Sequence, residues 1–197
     1  MNKLVLQSNA LIKERLKEFA HLHKQDNAAW FSELCFCILT ANSKAQSAID
    51  IQKEIGANGF LENSPEEIKT VIRKYGHRFH NNKTKYIIEA RQFKDIKTIV
   101  QSFKSTKEAR DFIAKNIKGL GYKEASHFLR NVGYSDIAII DRHILRWMLA
   151  ENLIPEIPKT ITKKHYLEFE AILEKFSIPQ DELDLIIWQH VTGKVLK

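Results

Sequence analysis

Cysteine is nearly missing from this sequence: Cys35 and Cys37 are the only two. They sit two apart in an apolar run of helical spacing and point to different sides of a helix, so no disulfide is expected. Two thiols also fall short of the four that hold an iron–sulfur cluster. No stretch approaches the ~20 apolar residues of a membrane span. The start, MNKLVLQSNALIKERLKEF, is broken too often by polar and charged residues for a secretory signal. Its Leu11, Ile12, Leu16 and Phe19 instead fit an amphipathic helix. An intracellular protein with no membrane partner is therefore expected. The histidines make no metal-ligand pattern, and His21 and His23 lie on a surface-like stretch, so no metal site is expected. Strand signals are scarce, and internal repeats and low-complexity segments are lacking.

What is present is helix. The 197 residues suffice for one large domain or two small ones. Phe31, Leu34, Cys35, Ile38 and Leu39 follow one another with helical spacing after Asn27, a candidate cap. Thr40 to Ser43 is a polar break. The next helix carries Ala45, Ala48, Ile49 and Ile55 and is expected to end at Gly56 and Gly59. Ser64-Pro65-Glu66-Glu67 reads as a capping box with proline at the first helical position, and Ser105 with Glu108 reads as a second box. Between them, Tyr75 to Asn82 reads as a loop mixing aromatics and charge, a combination suited to stacking on a base or simply to packing Phe79 inward. Pro155 and Pro158 mark a bend, Pro179 opens a last helix, and Gly193 stops it. The fold class expected is all-α, with two helical lobes flanking a cleft.

Charge adds a hint. Lys and Arg number 31 against 24 Asp and Glu, a net +7 spread along the chain with no basic tail. This suits a polyanion without identifying one.

The most informative stretch runs from Asn116 to Met148: a helix end, a Gly-x-Gly hairpin, a helix, an extended return and another helix. Gly119 and Gly121 bracket Leu120, so positive φ and close approach to another surface are available at both. A glycine hairpin opening a helix is a plausible seat for phosphate. Lys123 then lies in the first turn, where a cation opposes the helix dipole, and such local misfits are where function is sought. The helix from Tyr122 to Asn131 rises about 15 Å at 1.5 Å per residue. The return from Gly133 to Ile140 spans up to roughly 26 Å. Asp141, a candidate N-cap, is thus able to come back beside Lys123. An amine beside a carboxylate supports imine chemistry with charge stabilisation; a solvated lysine and a helix cap are the plainer alternatives.

Asp141-Arg142-His143-Ile144-Leu145-Arg146, following the glycine hairpin, resembles the D-x-H segment of the helix-hairpin-helix DNA glycosylase superfamily. Gly121-Tyr122-Lys123-Glu124-Ala125-Ser126-His127-Phe128-Leu129-Arg130-Asn131, with the end Thr192 to Lys197, is similar to one branch: the second class of 8-oxoguanine DNA glycosylase/AP lyases. The likeness spans nearly the whole chain, 1–197, as one glycosylase domain with its helix-hairpin-helix at about residues 109–132. One departure is Lys118, where many superfamily hairpins carry proline.

The resemblance implies excision of 8-oxoguanine by base flipping, with Lys123 as Schiff-base nucleophile and Asp141 as the catalytic carboxylate, then β-elimination at the abasic site. It implies base recognition by Phe79, Trp188 and the carboxylate of Lys197. It implies DNA contacts at Asn42, Lys118, Gly119, Gly121, Arg142 and Arg146; Arg130 is a further backbone candidate. No cofactor is expected, with a monovalent cation at the hairpin left open. The partner is double-stranded DNA carrying 8-oxoguanine or an abasic site, in an archaeal or bacterial cell, and no protein partner is implied. The alternatives are a superfamily enzyme for another damaged base and a non-catalytic DNA-binding module.

Overall fold

The computed structural model describes residues 8–195, and among them eleven α-helices and no strand. In order they are α1 (Ala10–His23), α2 (Asn27–Thr40), α3 (Ala45–Glu62), α4 (Pro65–Lys74), α5 (His80–Ala90), α6 (Ile96–Gln101), α7 (Thr106–Asn116), α8 (Tyr122–Asn131), α9 (Arg142–Ala150), α10 (Lys163–Leu173) and α11 (Gln180–Thr192).

Two lobes form around two cores. The larger is built on α2, where every residue from Trp30 to Thr40 is buried. The apolar stripe read from the sequence is only one side of a helix that α3, α5, α6 and α8 enclose. Phe60, Ile68, Ile87, Ile96, Ile113 and Phe128 complete that core. The smaller core joins Ile140, Leu145, Met148, Tyr166, Phe169 and Ile187 from the return, α9, α10 and α11. Helix α1 packs on α11 through Ile12, Phe19, Leu185 and Ile186, a pairing that helical spacing alone does not specify.

Several local expectations change once partners are in place. Asn27 does not cap its own helix. Asp26 does that, accepting from the N–H of Ala29 at 2.9 Å. The Asn27 carboxamide instead accepts from the N–H groups of Lys97 and Thr98 at 2.8 and 3.3 Å, serving the start of α6. Ser64 and Glu67 form the reciprocal box. Ser105 and Glu108 form half of one, because the Glu108 carboxylate takes the N–H of Lys104 at 3.0 Å. Gly56 breaks the helical path of α3 at φ +71°, yet the helix resumes through Gly59 to Glu62. The aromatic loop is shorter than expected, since α5 already starts at His80. His23 is no surface histidine: its Nδ1 lies 2.8 Å from the Val132 carbonyl oxygen, and its ring meets Trp30.

The hairpin joins α7 to α8. Only Gly119 uses the left-handed region, at φ +88°. Gly121 is extended at φ −97° and forms the N-cap of α8, so the positive φ expected there is not used. A Cβ at Gly119 would stand 2.7 Å from Tyr86 Cδ2, which makes the close approach there literal.

Candidate active site

The lobes leave a cleft of about 920 Å³, continued by a smaller cavity of about 460 Å³. Both are walled by Thr40, Ser43, Lys44, Lys123, Asp141 and Trp188. The amine and the carboxylate singled out from the sequence thus both stand on the wall common to the two spaces, without an ion pair between them.

The path that brings Asp141 there is built from side chains. Ala138 and Ile140 are buried in an extended return that has no neighbouring strand. Backbone polar groups in such a place need other partners. Glu170 accepts from the Ala138 N–H at 3.1 Å, and the Tyr166 hydroxyl accepts from the Ile140 N–H at 3.0 Å. That hydroxyl lies 2.8 Å from the Ala138 carbonyl and 3.0 Å from Ser126 Oγ, either of which can take its proton. Arg110 fixes Glu170 through two bonds of 2.6 and 2.9 Å. Burial pushes the Tyr166 phenol up, keeping it a neutral donor.

Asp141 then caps α9. Its Oδ1 accepts from the N–H groups of His143 and Ile144 at 2.8 and 2.9 Å. Among the described residues no hydrogen bond reaches Oδ2. Lys123, in the first turn of α8, has its Nζ 3.6 Å from Glu124 Oε1, with about a third of its side chain exposed (36 %). The amine is therefore loosely held and accessible from the cleft.

Asp184, on α11, lines the smaller cavity and was not singled out from the sequence. It lies one helical turn before Trp188, so both share a face of α11, which is the signal that spacing offers. Burial pushes its carboxyl up to about 6, with the Asp141 charge adding to the rise and the paired Arg130 guanidinium pulling the other way. That pairing removes Arg130 from the DNA-contact candidates: it is buried, bonded to Asp184 and Asn131, and lies over the Phe19 ring.

A model of the family described as 8-oxoguanine DNA glycosylase matches residues 12–181. The chain belongs to this family. A Methanocaldococcus jannaschii protein named 8-oxoguanine DNA glycosylase/AP lyase is 54 % identical over 191 residues, covering 95 % of this chain and 92 % of the relative. The crystal structure of the M. jannaschii enzyme in complex with a 15mer DNA containing 8-oxoguanine matches with a TM-score of 0.91, over 95 % of this chain and 92 % of that one. The Thermotoga maritima 8-oxoguanine DNA glycosylase, 42 % identical, matches with a TM-score of 0.87 over 95 % and 91 % of the two chains.

As a member of this glycosylase family, the chain places its other candidate residues as follows. Asn42 is exposed in the turn after α2 at φ +60° and lines the larger cleft. Arg142 is exposed and also lines it, whereas Arg146, one turn further on, is exposed outside both cavities. Lys118 is exposed and ion-paired with Glu89 at 3.2 Å. Trp188 is half-buried, edge-on to His143 with ring centres 4.6 Å apart, and its indole N–H has no acceptor among the described residues. Phe79 is half-buried under the Arg78 guanidinium, 4.4 Å from its ring centre. Phe79 itself walls neither cavity, although Gly76 and Arg78 wall the larger one. Lys197 lies outside the described residues. Lys44, an exposed cation on the cleft wall, was not singled out from the sequence, whereas Arg78, also exposed on that wall, belongs to the loop read there as mixing aromatics and charge. Among the described residues no helix is long and apolar enough to cross a membrane, and no cluster of His, Cys, Asp and Glu is able to hold a metal ion.

Proposed function

We propose that this chain excises 8-oxoguanine from duplex DNA and cleaves the strand 3′ to the resulting abasic site, with Lys123 as the nucleophile and Asp141 as the carboxylate that stabilises the reacting sugar. The observation that carries this is the convergence of Lys123 and Asp141, from α8 and from the cap of α9, on the wall common to both cavities. The target nucleotide leaves the duplex and enters the cleft, at a cost of a few kcal/mol. Neutral Lys123 Nζ attacks C1′. The bond from C1′ to the base breaks, its electron pair leaving with the base, which takes up a proton. The free Asp141 Oδ2 faces the positive charge that develops on the sugar. The amine then loses a proton and the C1′–O4′ bond of the sugar opens, O4′ taking up a proton, which leaves the C1′=N Schiff base. Loss of a C2′ proton allows the C3′–O bond to break, releasing the 3′ phosphate, and water returns Lys123 as the free amine.

In this reading Trp188 and Phe79 stack on the extruded base, and the carboxylate of Lys197 senses its N7 proton. Oxidation at C8 turns N7 from acceptor to donor, so a carboxylate favours the damaged base and repels guanine. Gly119, Gly121 and Lys118 hold the phosphate backbone at the hairpin, and Asn42, Arg142 and Arg146 contact the duplex around the lesion. The whole chain, 1–197, is one domain of two lobes acting on DNA inside an archaeal or bacterial cell.

The test is borohydride trapping on a duplex with one 8-oxoguanine opposite cytosine. A covalent adduct is expected with wild type and not with Lys123→Gln. An adduct with both would move the chemistry to another amine. An adduct only on a plain abasic site would keep the lyase and reject the base.

A further inference from the structure

Tyr122 opens α8 one residue before Lys123 and stands on the wall of the larger cleft. Its ring is held from outside its own helix, by α7 and α10. The Arg110 guanidinium lies 5.1 Å from the ring centre and the Lys163 ammonium 5.3 Å. The Tyr166 ring meets it edge-on, with centres 5.5 Å apart. The Tyr122 hydroxyl donates to Asp111 Oδ1, and the other oxygen of that carboxylate accepts from Lys163 Nζ at 2.9 Å. Two cations against one electron-rich ring, an edge-on neighbour and a bonded hydroxyl are each attractive, and together they favour one placement of the ring.

Tyr166 connects this placement to the site. Its hydroxyl accepts from the N–H of Ile140, the residue before Asp141, and its ring packs on Tyr122, the residue before Lys123. One side chain of α10 thus touches the chain immediately upstream of both groups. Among the described residues no ion pair joins Lys123 to Asp141; the amine is paired with Glu124 at 3.6 Å. Asp141 is fixed as the N-cap of α9 by two N–H bonds. The first turn of α8 has no such anchor, because its N-cap is Gly121, which brings no side chain. The core buries α8 only from Ala125 onward. The turn that carries Lys123 is therefore left to Tyr122.

We propose that Tyr122 is a positioning residue for the lyase chemistry: its ring, held by α7 and α10 and packed on Tyr166, sets where the Lys123 amine stands relative to Asp141. The inference rests on Lys123 being the nucleophile. A misplacement of about 1 Å is enough to cost a reacting group about a hundredfold in rate. A smaller apolar side chain at position 122 would leave α8 folded on its core and its first turn free to shift on that scale.

The experiment is single-turnover borohydride trapping on an abasic-site duplex at saturating full-length protein. Affinity is measured beside it, by fluorescence anisotropy, on a duplex carrying an uncleavable tetrahydrofuran analogue of the abasic site. Tyr122→Leu is expected to lower the trapping rate constant by about ten- to a hundredfold while the Kd moves by less than about twofold. Tyr122→Phe keeps the ring and should recover most of the wild-type rate. A protein that is merely destabilised loses trapping amplitude at an unchanged rate constant, and that result would overturn the proposal. So would an unchanged rate and amplitude, a Kd weakened about tenfold, or equal slowing by Tyr122→Phe. If Tyr122→Leu loses its helical circular dichroism, Lys163→Met decides, since it takes one cation from the ring at an exposed position. Severalfold slower trapping is expected there, and an unmoved rate sinks the idea. Lys123→Gln is run alongside. An adduct surviving in that variant would overturn the nucleophile itself, whereas its loss with unmoved rates in the other variants would overturn only the role of Tyr122.

Discussion

Gly119 and Gly121 look interchangeable in the sequence and are not. At Gly119 the backbone is at φ +88° and an added Cβ would lie 2.7 Å from the Tyr86 ring. At Gly121 the backbone is extended and the nearest atom to an added Cβ is Glu124 Oε2 at 3.6 Å. Gly119→Ala is expected to cost about 2 kcal/mol, from the left-handed backbone and the contact together. Gly121→Ala should cost less than about 1 kcal/mol, the loss of a tolerable N-cap. Urea unfolding of the two variants measures the difference, and equal midpoints would count against it. Binding to an undamaged duplex should weaken more for Gly119→Ala, because that change displaces the hairpin backbone that, in the proposed function, holds phosphate. Single residues whose role is set by local geometry, such as Asp141 as an N-cap, are legible in the sequence. Residues whose role is set by a distant partner are not. Arg130 reads as a surface cation until Asp184, 54 positions later, is seen to bury it, and nothing in the local pattern of Tyr122 announces the cations of α7 and α10 against its ring.

Among the elements, the extended return before Asp141 carries the most consequence for the least secondary structure. Its polar backbone depends on Tyr166 and Glu170 of α10, and Glu170 depends on Arg110 of α7, all three buried. Removing one partner of a buried pair leaves the other charge uncompensated, so Glu170→Gln is expected to destabilise the fold by about 3–5 kcal/mol. Replacing Arg110 and Glu170 together by methionine and leucine should recover part of that loss. Chemical denaturation of the three variants checks this; a double variant no more stable than Glu170→Gln would show that the pair itself contributes more than its apolar substitute. The extended return was visible as the buried run Ile137 to Ile140, and the hairpin and α8 were visible from glycine placement and apolar spacing. The half capping box at Ser105 and the capping of α6 by Asn27 were not, since a side chain's choice among nearby donors depends on what the fold brings within reach.

For the whole molecule, the question is how a modest net charge of +7 becomes a DNA-binding surface. One part of the answer is which cations stand on the cleft wall with no carboxylate paired to them. Away from the cleft, some exposed lysines are paired, as Lys107 is with Glu174 at 2.9 Å and Lys74 with Glu54 at 2.7 Å, while others, Lys13, Lys53 and Lys115 among them, take part in none of the ion pairs found among the described residues. On the cleft wall, Lys44, Arg78 and Arg142 are exposed and take part in none of the ion pairs found among the described residues. A cation that neutralises one phosphate releases counterions and contributes about −0.9 to the slope of log affinity against log salt. Arg142→Ala should therefore weaken binding to damaged and undamaged duplex alike and reduce the steepness of that slope by about 1. Lys107→Ala, which removes a paired cation of similar exposure, should leave the slope unchanged. Fluorescence anisotropy over a salt series gives both slopes in one experiment. If the two variants alter it equally, the polyanion is held by the overall charge of the molecule, and the cleft holds no privileged share of it.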